Sequence, residues 1–169
     1  IYNDGIDRQF HASTVVYDRK SSQWLVMTTG HGYAPKIYKG ASNADLRGGI
    51  HTIKVSELSY PNVNTLSSED TSLVFDENRK KWMLALVQSD STGARFKTLL
   101  CQSDEWDGVY MLVSQTNRDN ETGVFIQKIN GEYVVMCGDP NGYPVYSYPN
   151  LSYLGELNMD VTDGGFRGW

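Results

Sequence analysis

Three segments of this chain repeat one pattern. ASTVVYDRKSSQWLVM begins at Ala12, DTSLVFDENRKKWMLA at Asp70 and ETGVFIQKINGEYVVM at Glu121. Each consists of a short apolar run, a polar turn, and an aromatic residue that opens a second apolar run. Val16 and Trp24, Val74 and Trp82, and Phe125 and Tyr133 are all eight residues apart. Runs rich in β-branched and aromatic residues, separated by turn formers, read as β-hairpins.

Each hairpin is followed by more strand-like sequence. PKIYKGASNADLRGG and HTIKVSEL follow the first, ARFKTLLCQSDEWDG and VYMLVSQT the second, and YPVYSYPNLSYLG and ELNMDV the third. No stretch carries a long helical apolar period. Every repeat therefore reads as four antiparallel strands, and the aromatic position recurs after 58 and then 51 residues. Four-stranded repeats of this length suggest β-propeller blades. The expected fold is all-β: a partial propeller of three blades, near 10–60, 68–116 and 119–162, in one domain spanning 1–169. A two-sheet sandwich is the alternative. Trp-Asp occurs once, at Trp106-Asp107, and does not recur from repeat to repeat; Kelch glycine pairs at a fixed blade position and sialidase-type Asp boxes are absent. Propellers close with about four to eight blades, and an open array leaves apolar faces and strand edges exposed. Three blades therefore imply a portion of a larger propeller, or closure by another chain. The stretch DGGFRGW reads as entry into a further blade.

The formal net charge is −5 with no basic cluster, which speaks against nucleic acid and anionic membranes as partners. No apolar run reaches transmembrane length and no secretory signal pattern is present, in a chain that opens on Ile1. Cys101 and Cys137 each fall inside an apolar run, where buried free thiols are expected and a disulfide is the alternative. Asn120-Glu-Thr and Asn150-Leu-Ser match the glycosylation acceptor pattern. No His or Cys cluster has metal-ligand spacing, so no metal or other cofactor is expected.

The position just before each inner strand's apolar run holds Ala12, then Asp70, then Glu121. In a propeller these positions converge on one rim of the axial pocket. The exit loops of the second strands face the same rim and carry His31, Ser89-Asp90 and Asp139. Two carboxylates across a pocket suit glycosidic bond cleavage, in which one acts as acid and the other as base, nucleophile or electrostatic support. The alternative is that Asp70 and Glu121 cap strands or accept backbone N–H bonds. His11 and His31 are candidates to hydrogen-bond sugar hydroxyls. Tyr143, which follows a glycine in an exit loop, could stack on a sugar face. Arg167 could pair with a carboxylate. Trp24, Trp82 and Tyr133 read as blade core.

These residues together resemble the five-bladed propeller glycosidases, the superfamily of glycoside hydrolase families 43, 32, 62, 68 and 117. SSEDTSLVFDENRKKWMLAL is similar to their third-blade opening, with Thr71 where Pro is usual. NETGVFIQKINGEYVVM is similar to the opening that carries their acid, with Thr122-Gly123 after Glu121. FHASTVVYDRKSSQWLVMTTG resembles their second blade, which carries no catalytic carboxylate, in agreement with Ala12. The resemblance implies a hydrolase acting on a poly- or oligosaccharide, with Glu121 as general acid and Asp70 as auxiliary carboxylate. Its base or nucleophile belongs on the first blade, where IYNDGID supplies Asp4 and the stronger expectation is a residue upstream of Ile1. An axial calcium ion, known in related propellers, is not demanded by any residue here. Secretion or a periplasmic location is implied by the resemblance alone. A non-catalytic carbohydrate-binding or scaffold propeller is the alternative function.

Overall fold

The structure, a computed structural model, describes residues 11–29, 36–40, 49–52, 54–55, 68–89, 96–139 and 142–157. Asp4, His31 and Arg167 lie outside the described residues. Every regular element among the described residues is a strand. The first sheet has the order β1-β2-β3-β4, from His11–Asp18, Gln23–Thr29, Lys36–Gly40 and Gly49–Thr52. The second has the order β5-β9-β8-β7-β6, from Lys54–Val55, Ser68–Asp76 (β6), Lys81–Ser89 (β7), Phe96–Ser103 (β8) and Val109–Gln115 (β9). The third has the order β10-β11-β12-β13, from Thr122–Ile129, Glu132–Gly138, Tyr143–Ser147 and Tyr153–Leu157. Three blades of four antiparallel strands are thus present, as the repeats imply, and the second carries β5 as an added parallel edge strand.

Two expectations shift. HTIKVSEL divides: Gly49–Thr52 closes the first sheet, while Lys54–Val55 runs parallel to Val109–Tyr110 on the edge of the second. In the third blade the last described strand is Tyr153–Leu157, YLGEL, which begins ahead of ELNMDV. The turn that precedes it is built around Pro149-Asn150. Leu151 there has φ 53°, and its N–H donates to the Ser147 carbonyl at 2.9 Å. Pro lacks a ladder donor, so the chain reverses there and not at Gly155.

The equal hairpin spacing conceals two kinds of turn. Asp18 pairs with Gln23, and Asp76 with Lys81, across four-residue loops. The Asp76 carboxylate accepts the N–H groups of Asn78 (2.9 Å) and Arg79 (3.2 Å), and Asp18 does the same for Lys20 and Ser21. These are Asx turns, in which the side chain replaces a missing backbone partner. The third hairpin closes with only Asn130-Gly131, φ 51° and 89°, a pair suited to the primed two-residue turn. Val74 consequently faces Met83, whereas Phe125 faces Met136. The third inner strand is displaced by two residues relative to its partner.

Because side chains alternate along a strand, the second sheet is apolar on both faces. Leu73, Leu84, Leu86, Leu99 and Tyr110 pack against Leu25 and Met27 of the first sheet. Met83, Ala85, Val87 and Leu100 pack against Val124, Ile126 and Val135 of the third. Polar bonds cross both junctions: Thr14 Oγ1 donates to the Thr71 carbonyl, Ser72 Oγ accepts the Ile126 N–H, and Tyr148 O–H donates to Asp76. Trp82 is buried core, and the Trp24 and Tyr133 side chains are partly buried. Cys101 and Cys137 are buried free thiols in opposite clusters. Burial raises the Cys101 thiol to about 12 and pushes Cys137 up as well.

Leu84 has no exposed surface, so Leu84→Ala should cost about 2–5 kcal/mol in urea unfolding. A midpoint within error of the parent would contradict the packing described. Both thiols should resist an aromatic disulfide reagent at pH 8 in the native protein and react fully once it is unfolded.

Candidate functional site

The inner strands β1, β6 and β10 each begin with a β-bulge. In the second blade Glu69 pairs with Val87 and Thr71 with Leu86, leaving Asp70 as the extra residue, at φ 47°. In the third the register slips between Thr122 and Phe125, around Gly123 at φ 61°. In the first it slips between His11 and Thr14, around Ala12. The two bulge residues at positive φ, Asp70 and Gly123, suit their site, since Gly has no Cβ to clash and Asp is among the few side chains that tolerate it. The series at the bulge is therefore Ala12, Asp70, Gly123. Glu121 comes two residues earlier, so the two carboxylates are not at equivalent blade positions. The physical reason is the short Asn130-Gly131 turn.

The two carboxylates nevertheless stand at one blade junction. Asp70 Oδ2 accepts the Gly123 N–H at 2.6 Å, reaching from the second blade to a residue two along from Glu121. Glu121 is 0% exposed. Its Oε1 accepts a hydrogen bond from the Tyr146 hydroxyl of β12. Its Oε2 accepts one from the Thr116 hydroxyl and another from the Thr98 N–H of β8, at 3.2 Å. Donors from both blades thus converge on one carboxylate, with Cys137 beside it. Burial first, and then the bond to Glu121, hold the Tyr146 phenol well above its usual range, so it stays a protonated donor. The Cys137 thiol is raised by burial and then by the charge of Glu121.

Asp139 and Tyr143 stand at the same end of the third blade. The Asp139 side chain is 3% exposed and pairs with Arg118, which also binds Glu156 at 3.0 Å and lies over the Tyr153 ring at 5.4 Å. Asp139 Oδ1 accepts the Gly142 N–H at 2.9 Å, closing its own loop. Tyr143 is buried rather than offered as a platform. His11 opens β1 opposite Thr29. Arg118, Thr98, Thr116 and Tyr146 carry no local signal in the sequence. Arg118 meets partners 21 and 38 residues away, and only the blade topology brings them together. Clefts of about 700 Å³ beside Phe75 and Trp82, and of about 640 Å³ beside Tyr133 and Tyr148, lie at the opposite, hairpin-turn end of the blades. Among the described residues no group of His, Cys, Asp or Glu could hold a metal ion.

No family model and no curated protein matches this chain. Solved structures do. An exo-β-1,3-galactanase from Phanerochaete chrysosporium, bound to β-1,3-galactotriose, matches with TM-score 0.69 at 10% identity, over 89% of this chain and 39% of that one. A thermostable family-43 glycoside hydrolase matches with TM-score 0.61 at 13% identity, over 89% and 54%. An endo-1,4-β-xylanase from Bacteroides thetaiotaomicron matches with TM-score 0.60 at 14% identity, over 90% and 55%. The chain thus spans about two fifths to just over half the length of these three. At such identities the likeness is one of fold: the chain has the propeller fold of family-43 glycoside hydrolases, over part of a propeller.

Asp70→Ala removes the acceptor for the Gly123 N–H and leaves a less tolerant side chain at positive φ, so it should destabilise the protein by about 1–3 kcal/mol. Asp70→Asn keeps a carbonyl acceptor and should cost less than half as much. Equal losses in chemical denaturation would refute this assignment of the Asp70 contact.

Proposed function

We propose that this chain is part of a glycoside hydrolase-like propeller that cleaves a poly- or oligosaccharide by carboxylate acid/base chemistry. The observation that supports it is the reach of Asp70 to the Gly123 N–H, which draws the openings of two adjacent inner strands, and their carboxylates, to one blade junction. Glu121 is the general acid: it gives its proton to the glycosidic oxygen, the C–O bond breaks, and the leaving sugar departs as an alcohol. Water supplies the hydroxyl at the anomeric carbon, and its proton goes to a base on the blade that precedes the β1–β4 sheet in such propellers, for which Asp4 is the candidate within this chain. Asp70 is the auxiliary carboxylate. His11, His31 and Arg167 are proposed to contact the sugar by their places in the repeat. The ion pair of Asp139 and the burial of Tyr143 suit shaping of the rim loop better than direct sugar contact.

A second reading draws on the complete enclosure of Glu121, with both oxygens occupied. A carboxylate so held also serves as a staple between blades in a carbohydrate-binding or scaffold propeller without turnover.

Glu121→Gln in the full-length protein separates the two. Assayed on β-1,3-galactan and β-1,4-xylan, the hydrolase reading expects turnover in the parent and a loss of about 10²–10⁴-fold in the variant. Turnover preserved in the variant would remove Glu121 as the acid. The staple reading expects no turnover in the parent and a lowered melting temperature in the variant.

A further inference from the structure

Glu121 is held asymmetrically. Oε2 receives two donors, the Thr116 hydroxyl and the Thr98 N–H, and Oε1 receives the Tyr146 hydroxyl, while the Cys137 thiol also hydrogen-bonds the carboxylate. The Thr98 N–H is shared, lying 3.2 Å from Oε2 and 3.2 Å from Thr116 Oγ1. The donors differ in kind. A hydroxyl can turn round and accept, whereas a backbone N–H can only donate. Thr98 is itself fixed in the ladder of β8, opposite Val87. A proton on Oε2 would confront a donor that cannot reverse. A proton on Oε1 meets a phenol oxygen able to accept it.

We infer that Oε2 is the anchored oxygen of Glu121 and Oε1 the working one, with Thr116 and the Thr98 backbone as positioning groups and Tyr146 as the resting partner of the transferable proton. The inference rests on the proposed role of Glu121 as the acid. Thr116 ties Oε2 from a hydroxyl whose own backbone is pinned, its N–H donating to the Thr98 carbonyl at 3.0 Å. That tether sets the direction in which Oε1 points. Tyr146 stays protonated throughout the working range because burial and Glu121 raise it, so it neither competes for the proton nor adds a charge. Losing the tether should therefore impair the proton-transfer step more than losing the phenol hydroxyl does.

The test compares Thr116→Val, Thr116→Ser and Tyr146→Phe in the full-length protein, with Glu121→Gln in the same polysaccharide assay. Thr116→Val should lower kcat by about tenfold or more with KM within about twofold, because misplacement of a catalytic group acts on the chemical step. Thr116→Ser, which restores the hydroxyl, should return kcat to within about twofold of the parent. Tyr146→Phe should lower kcat by less than Thr116→Val does. Failure of serine to rescue, or a Tyr146→Phe loss larger than that of Thr116→Val, would overturn the assignment. A Thr116→Val variant with parental kcat and only a lowered melting temperature would make Thr116 purely structural and overturn it too. Turnover retained in Glu121→Gln would instead sink the acid assignment on which the inference depends.

Discussion

A sheet with apolar side chains on both faces has no stable existence in water by itself, and the second blade is such a sheet. Leu84 and Leu86 point one way, Met83, Ala85 and Val87 the other, and all five are fully buried. Each fully buried side chain of the Leu, Val or Met kind contributes about 1.5–3 kcal/mol, but only while a neighbouring sheet covers it. The second blade is covered on both sides. The first is covered on one: Val15 and Tyr17, on its other face, are 50% and 43% exposed. Face-to-face burial is what orders the blades side by side, and everything at their ends depends on it.

The candidate site is a product of the same junction. Where two inner strands begin together, each needs its first backbone groups satisfied. The chain uses side chains at this junction: Asp70 takes the Gly123 N–H of β10, and Glu121 takes the Thr98 N–H of the neighbouring β8 along with two hydroxyls. A carboxylate that satisfies a junction is also one whose orientation is tightly held, and tight orientation is what acid catalysis asks of its donor. Stapling and chemistry therefore make the same geometric demand here, and kinetics rather than geometry tells them apart.

Much of the blade architecture is legible along the chain. Alternating apolar residues and an aromatic eight residues downstream mark each hairpin, because period-two alternation and turn chemistry are local properties. The Asx loops at Asp18 and Asp76 and the Asn130-Gly131 turn are written in a few adjacent residues. The register of the third blade is less visible. Spacing alone matches Asp70 with Glu121, but a two-residue turn in place of a four-residue loop moves the inner strand and matches Asp70 with Gly123. The last strand of that blade was likewise displaced by the Pro149-Asn150 turn.

Local patterning thus specified strands, turns and the three-blade repeat, since each depends on residues close together in the chain, and the repeat singled out Asp70 and Glu121. Tertiary structure decided what surrounds those carboxylates. Thr98, Thr116 and Tyr146 lie 23, 5 and 25 residues from Glu121 in the chain and belong to two blades and the segment between them. No periodicity encodes their meeting. It follows from how far each sheet must approach the next to cover its apolar face, and that distance is set by packing across the junction.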